Sequence, residues 1–296
     1  MAPILNEFYR LVSTVVLLRH RNRSYILVMK TIWLGAMLLL AMSFRPSASG
    51  QSVKVWIDSL DRPTRKQVVD LGPSSTNFPG SQQLRVTLSC FFYPGFIVKE
   101  VYEQQNKAMT SEVIVPVIEG ATVDCTQSHV PGEISLGEPD WEGELFVGAK
   151  GNLLFFEWAD GNDGGRPFSL LDATSGKQVY ADSAYDPAFW DRKPEPSPFN
   201  RLRVISDQDG AITLRYLHVE VYECDLHLPT ERSACWEKIK VQAGIGNRQI
   251  PVCTGYERIN SHVGSAVAYP VEVSLLPHPT RKTIAGPVRC WPQTDE

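Results

Sequence analysis

The sequence predicts a mainly β protein whose antiparallel sheets pack as a sandwich or as small barrels. Apolar and polar residues alternate in several short runs, of which residues 52–57 (SVKVWI) are the first, and a period of two is typical of half-buried strands. Clusters of Gly, Pro, Asn and Ser separate the runs, as turns do. Residues 51–296 contain no segment of helical period longer than a few turns. A propeller-like fold is the alternative, but we find no repeat at fixed spacing to support it.

The strand pattern continues through the first half of this region. Residues 61–70 are basic and polar around two valines, which favours a helical turn. Residues 84–92 (LRVTLSCFF) alternate again, and the turn Tyr93-Pro94-Gly95 leads into a further strand over 96–103. Pro116 places the next strand at a sheet edge or a bulge, because proline has no N–H to donate to a neighbouring strand.

A central hairpin is predicted between residues 141 and 158. Residues 141–150 and 152–158 pair around Gly151, and the continuous apolar run in NLLFFEW is typical of a strand buried on both faces. Residues 168–172 and 177–180 form a second hairpin. Its turn resembles the outer hairpin of a propeller blade, but the pattern is common to β-hairpins in general.

The proline-rich residues 194–200 predict a linker between two β lobes, residues 51–193 and 201–296. The second lobe contains a long alternating strand over 211–228 and a further strand over 235–243. Other strands of this lobe are expected at 249–254, 271–276 and 284–291.

Residues 29–50 (MKTIWLGAMLLLAMSFRPSASG) have the order of a signal peptide. Lys30 provides a positive start, an apolar run follows, and Pro46 ends any helix. The small residues that come next predict cleavage between Gly50 and Gln51. The mature protein would then be periplasmic or extracellular.

One alternative to cleavage is a membrane anchor, and residues 1–28 allow two interpretations of their own. An uncleaved segment over residues 25–44 is about 20 residues long, which is marginally enough to span a bilayer and to tether the protein. Residues 1–28 precede a natural start at Met29, so we interpret them as a mis-assigned gene start or as an extended n-region whose arginines stay in the cytoplasm.

The charge balance argues against nucleic acid as a partner. The chain has 29 basic and 33 acidic residues. Six of the basic residues and one of the acidic residues lie in the first 50, which leaves 23 basic and 32 acidic residues in the mature part. A nucleic-acid binder needs a basic surface for phosphate contacts. Contact with a membrane is therefore expected only through the N-terminal segment.

All six cysteines follow the predicted signal peptide, and an even number in an exported chain predicts three disulfides. Six cysteines allow 15 pairings, and we favour neighbours in order. The spacing CxxC is absent, which argues against a zinc or thioredoxin-like site. The favoured pairs are Cys90–Cys125, Cys224–Cys235 and Cys253–Cys290.

Asp160, Asn162 and Asp163 are weak candidates for calcium ligands, because calcium prefers oxygen donors in a glycine-rich loop. Gly164 stands where the EF-hand pattern requires another oxygen. Asp and Asn also stabilise turns locally, so a structural turn is the favoured interpretation. No other cofactor is indicated by the sequence.

His218 and Glu220 are weak candidates for an acid–base pair, because residues two apart on a strand share a face. Tyr222 continues the same face. The favoured interpretation is a solvated face with a cross-strand partner. Motifs of metalloproteases, serine hydrolases and nucleotide-binding proteins are absent from the sequence.

Together these observations predict an exported, disulfide-bonded β protein that has a binding or structural role at the cell envelope rather than an enzymatic one. An extracytoplasmic hydrolase acting on carbohydrate or peptide, with its site near residues 186–200, is one alternative. A membrane-tethered subunit is another.

Overall fold

The computed structural model describes residues 56–73, 85–103, 108–117, 123–127, 129–136, 144–158, 165–187, 197–258 and 263–293. These residues form fifteen strands, one α-helix and one turn of 3-10 helix at Tyr256–Arg258. The first strands are β1 (Ile57–Asp58), β2 (Arg65–Pro73), β3 (Arg85–Phe92), β4 (Phe96–Glu103), β5 (Ala108–Pro116) and β6 (Ile134–Leu136). The others are β7 (Glu144–Lys150), β8 (Leu153–Trp158), β9 (Gly165–Asp172), β10 (Gln178–Tyr185), β11 (Leu202–Ser206), β12 (Ile212–Tyr222), β13 (Gly264–Ser274), β14 (Thr280–Thr283) and β15 (Arg289–Gln293). The helix α1 spans Arg232–Ala243.

The strands form two sheets, which confirms the predicted mainly antiparallel β class. The smaller sheet has five strands in the order β2-β3-β4-β5-β6, each antiparallel to the next. The larger sheet has ten strands and is nearly closed, like a barrel. Its pairs are antiparallel except for the short parallel pair β1–β11.

Strand β12 is the centre of the larger sheet. One edge pairs with β13 over ten residues, from Thr213 to Tyr222. Since a strand has only two edges, β11 and β10 share the other: β11 pairs with Ile212–Arg215 and β10 pairs at His218. The forked arrangement brings β10, β12, β13 and β14 together around His218.

The two sheets pack against each other through a shared apolar layer. Phe96, Val98 and Ile114 of the smaller sheet belong to one apolar cluster with Phe146 and Phe156 of the larger one. A second and larger core fills the inner face of the ten-stranded sheet, and α1 covers it with Trp236 and other apolar residues.

The predicted boundary at 194–200 does not separate the two sheets. Strands on both sides of it belong to the larger sheet, and β1, which precedes it by more than a hundred residues, pairs directly with β11. Lys54–Glu296 form one compact unit. The proline-rich segment therefore connects strands of a single sheet, and residues 194–196 of it lie outside the described residues.

The strand predicted over 235–243 is wrong: these residues belong to α1. Cys235, Ile239 and Ala243 are spaced by four and are buried on one side of the helix. Gly244 ends it in the left-handed conformation, with its N–H donated to the carbonyl of Lys240. The helical turn predicted over 61–70 is also wrong, because β2 begins at Arg65.

The three disulfides are Cys90–Cys125, Cys224–Cys235 and Cys253–Cys290, the pairs expected from neighbours in order. The first holds the loop after β5 against β3. Lys99, on the neighbouring strand β4, donates a hydrogen bond of 2.6 Å to the carbonyl of Gln127 in the same loop. The second ties the end of β12 to the first turn of α1. The third joins the segment after α1 to β15.

Candidate functional site

Polar side chains from four strands of the larger sheet meet beside its main core. Residues two apart on a strand have their side chains on the same face. The polar residues at alternate positions of β10 and β12 therefore lie on one side of the sheet. We call this group the Asp182 cluster. Its members are Tyr180, Asp182, Tyr216, His218, Glu220, Tyr222, Tyr269 and Arg281.

Asp182 is the centre of this cluster. Tyr180 donates a hydrogen bond of 2.7 Å to Oδ2 of Asp182, and the Tyr216 hydroxyl donates to the same oxygen. His218 Nδ1 lies 2.7 Å from Oδ1 of Asp182. The carboxylate side chain is only 9% exposed, so its hydrogen bonds replace the water that it loses on folding.

His218 and Arg281 form the next layer. A carboxylate only accepts hydrogen bonds, so His218 Nδ1 donates to Asp182. Arg281 Nη1 lies 3.1 Å from Nδ1 and 2.9 Å from Nε2 of His218, so the guanidinium packs over the face of the imidazole. Arg281 Nη1 is also 3.5 Å from Oδ2 of Asp182. The guanidinium is therefore held in place by a buried carboxylate and a buried imidazole, while 41% of the side chain stays exposed.

Glu220 forms a second acceptor in the cluster. Tyr222 and Tyr269 donate hydrogen bonds of 2.8 and 2.6 Å to its Oε2 atom. The same oxygen lies 3.9 Å from Nε2 of His218. Glu220 is 37% exposed, so this carboxylate faces solvent more than Asp182 does.

Burial by itself would raise the pKa of Asp182, but hydrogen bonds from His218, Tyr180 and Tyr216 outweigh it and hold the pKa below its ordinary value. Burial and the charge of Asp182 raise the pKa of Tyr216 well above its ordinary value. Burial acts to lower the pKa of Arg281, but the charge of Asp182 outweighs it and the pKa is raised. Asp182 is therefore an anion and Arg281 a cation at neutral pH.

A pocket of about 360 Å³ lies at the C-terminal end of α1. One wall is formed by residues 241–244, and the other by Tyr269, Arg281 and Thr283. The Thr283 hydroxyl donates a hydrogen bond of 2.8 Å to the carbonyl of Ala243, which links the two walls. The Asp182 cluster thus reaches this pocket through Tyr269 and Arg281.

This arrangement suits binding better than proton transfer. The pair of Asp182 and His218 resembles the carboxylate–imidazole pair of many acid–base sites. However, the His218 side chain is only 8% exposed, and Arg281 Nη1 covers it 2.9 Å from Nε2, the nitrogen that would exchange a proton with a substrate. Arg281 instead offers a fixed and partly exposed donor to a molecule in the pocket.

The structure brings the two sequence candidates together but changes their environment. His218 is 6% exposed, so the predicted solvated face is wrong at this residue. Asp182 and Arg281 lie 36 residues before and 63 residues after His218 in the sequence, and no local spacing connects them with it. Only the alternation of Tyr180 and Asp182 on β10 could have indicated a shared polar face.

The acidic residues near the predicted calcium loop have separate roles. Asp172 accepts hydrogen bonds from the backbone N–H groups of Thr174 and Ser175 in a turn, and Asp186 pairs with Arg166. Within the described ranges no group of three or more His, Cys, Asp or Glu side chains is arranged to hold a metal ion. Asp160, Asn162 and Asp163 lie outside the described residues.

No family model, curated protein or solved structure matches this chain. In the part of the chain that the structure describes, no helix has the length and apolar character needed to cross a membrane. The segment predicted to direct export, with the cleavage position between Gly50 and Gln51, lies outside that part.

Proposed function

We propose that this protein is exported and binds a small, neutral, polyhydroxylated molecule, such as a carbohydrate, in the pocket at the end of α1. The observation that carries the proposal is that the Arg281 side chain is fixed in place and still reaches the pocket. Its guanidinium is anchored by Asp182 and His218 and is still 41% exposed at the pocket. A donor that is fixed before binding loses little conformational freedom when a ligand arrives.

The local charges favour a neutral ligand over an anion. Asp182 and Glu220 place two carboxylates behind the single positive charge of Arg281. The C-terminal end of α1 on the opposite wall adds partial negative charge from its carbonyl groups. A hydroxyl group both donates and accepts hydrogen bonds, so it can use Arg281 on one wall and these carbonyls on the other.

The size of the pocket also suits this class of ligand. A volume of about 360 Å³ is at the lower end of the range for small-molecule sites. Export is supported by the three disulfides, since such crosslinks persist in oxidising compartments. The site of action that we propose is accordingly outside the cytoplasm.

Binding can be tested with a panel of monosaccharides, namely glucose, galactose, mannose and N-acetylglucosamine, by thermal denaturation and calorimetry. We expect at least one of them, at a hundred times its dissociation constant, to raise Tm by about 5–10 °C. Replacing Arg281 by alanine should weaken binding roughly tenfold to hundredfold, because it removes a hydrogen bond from a charged donor.

Lys282 provides the matched control. It is the next residue on β14, points to the opposite face and pairs with Glu272. Lys282→Ala should leave binding unchanged, and the unliganded Tm of both variants shows whether the fold is intact. If no sugar of the panel binds, or if Arg281→Ala binds as tightly as the unaltered protein, the proposed function is wrong.

Export has its own test. The protein recovered outside the cytoplasm should begin at Gln51, and its non-reduced mass should lack two hydrogens for each of the three disulfides. N-terminal sequencing and intact mass spectrometry measure both. A product that remains in the cytosol with six free thiols would contradict export.

A further inference from the structure

Strand β2 is the end strand of the smaller sheet. It is nine residues long and pairs with β3 along one edge, regularly from Arg65 to Asp70 and then, after a β-bulge at Leu71, through Gly72 and Pro73. Its other edge pairs with no strand among the described residues. A free edge presents unpaired N–H and C=O groups that can pair with another strand. Two apolar side chains of β2 are also exposed, Val68 at 59% and Leu71 at 50%.

The sequence of β2 is complementary in charge to a second copy of itself that runs antiparallel to it. When two copies run antiparallel with Val68 opposite Val68, Lys66 of each copy lies opposite Asp70 of the other. Opposite charges directly across a strand pair are favourable, and an apolar pair at the centre covers both exposed valines.

Symmetry restricts the other possible pairings. Two antiparallel edge strands are related by a twofold axis perpendicular to the sheet, which keeps each side chain on its own face. Residues that lie opposite each other must therefore both have even numbers or both have odd numbers. Centring the pair on Gln67 would place Lys66 opposite Val68, and centring it on Val69 would place Val68 opposite Asp70. Only the pairing centred on Val68 matches opposite charges.

The charged side chains already occupy the required face. Lys66, Val68 and Asp70 alternate along β2 and share one side of the sheet. The ammonium group of Lys66 lies over the ring of Phe91, 4.6 Å from its centre, and Asp70 pairs with Arg85. Both contacts are made with β3, on the side away from the free edge, so pairing across the dimer requires Lys66 and Asp70 to exchange these contacts for each other.

From these features we propose that β2 is a dimer interface, in which it pairs antiparallel with β2 of a second copy about a twofold axis at Val68. The two five-stranded sheets then form one continuous sheet of ten strands across the dimer. The interface uses the same patch on both copies, as twofold symmetry requires. One strand edge buries little area, so the dimer belongs with the weaker protein interfaces.

A pair of charge-reversal variants tests this pairing. Lys66→Glu alone places the introduced glutamate opposite Asp70 twice, and Asp70→Lys alone places the introduced lysine opposite Lys66 twice. Each variant should therefore dimerise at least about tenfold more weakly than the unaltered protein. When the two variants are mixed in equal amounts, both cross-strand pairs carry opposite charges again, and a heterodimer should form.

Sedimentation velocity over a range of concentrations measures the unaltered protein, the two variants and their mixture, and circular dichroism checks that each variant is folded. Lys177→Glu and Asp209→Lys are the controls, because they make the same charge changes at exposed turns away from β2. They should dimerise like the unaltered protein. The proposal is overturned if the unaltered protein stays monomeric at all concentrations, if either variant alone dimerises normally, or if the mixture remains monomeric.

Discussion

Reducing the three disulfides should unfold this protein at neutral pH. In the loop-entropy model, a crosslink stabilises the fold by restricting the unfolded chain, and longer loops contribute more. Cys90–Cys125 and Cys253–Cys290 close loops with sequence separations of 35 and 37, so each should contribute about 4 kcal/mol. Cys224–Cys235 has a separation of 11 and should contribute about 3 kcal/mol. Together these contributions are comparable to the whole stability of a typical domain.

Paired Cys→Ala variants separate the three contributions. Removing either long-loop disulfide should lower the free energy of unfolding more than removing Cys224–Cys235, as measured by urea denaturation under non-reducing conditions. Alanine is suitable because Cys90, Cys125 and Cys290 are at most 1% exposed, where a serine hydroxyl would be buried. An equally stable protein with and without reductant would contradict this account.

Replacing Asp182 by alanine should destabilise the fold by about 3–5 kcal/mol, because it leaves the buried imidazole of His218 and two tyrosine hydroxyls without their acceptor. Tyr180, Tyr216 and His218 would each lose a hydrogen-bond partner at a site with little access to water. For a domain of this size the loss corresponds to about 6–20 °C in Tm. Differential scanning calorimetry measures it.

Asp58 is the matched control. It is also an ion-paired aspartate, but its partner Arg201 is 51% exposed, so Asp58→Ala should cost at most about 1 kcal/mol. Equal losses for Asp58→Ala and Asp182→Ala would show that the buried network adds no stability of its own.

The pH dependence of stability gives a second readout for Asp182. In the folded protein its pKa is below the ordinary value of 3.8 that applies to the unfolded chain. Its contribution is therefore fully present above about pH 4 and is lost as the pH falls through the lower folded pKa. The unaltered protein should lose stability more steeply than Asp182→Ala below that pH. Parallel curves would contradict a role for ionised Asp182 in stability.

The strand pattern predicted the fold class because alternation is a local property. In β3, Leu88 and Cys90 are buried on one face as a period of two requires. The same rule was wrong at α1, where Ile239 and Val241 alternate with lysines as they would in a strand. The helix buries Ile239 completely and leaves Val241 82% exposed. The spacing of Cys235, Ile239 and Ala243 fits a helix equally well, so packing against the main core decides between the two.

The Asp182 cluster could be predicted only in part. His218, Glu220 and Tyr222 share a face because of their spacing on one strand, and sequence analysis singled them out for that reason. The face was predicted to be solvated, because polar residues that share one face of a strand usually contact water. The tyrosines of this face are buried because α1 and the neighbouring strands pack against them. The residues of that helix had been predicted to form a further strand.

By itself the sequence determined the β class and the face that His218 shares with Glu220, because each depends on spacing along the chain. It favoured disulfides between neighbouring cysteines, and the structure selected that pairing from the 15 that are possible. Only the tertiary structure decided that Asp182 and Arg281 join that face, and that the proline-rich segment connects strands of one sheet. These contacts depend on which strands become neighbours. Strand order is set by burial over the whole chain, which local alternation does not encode.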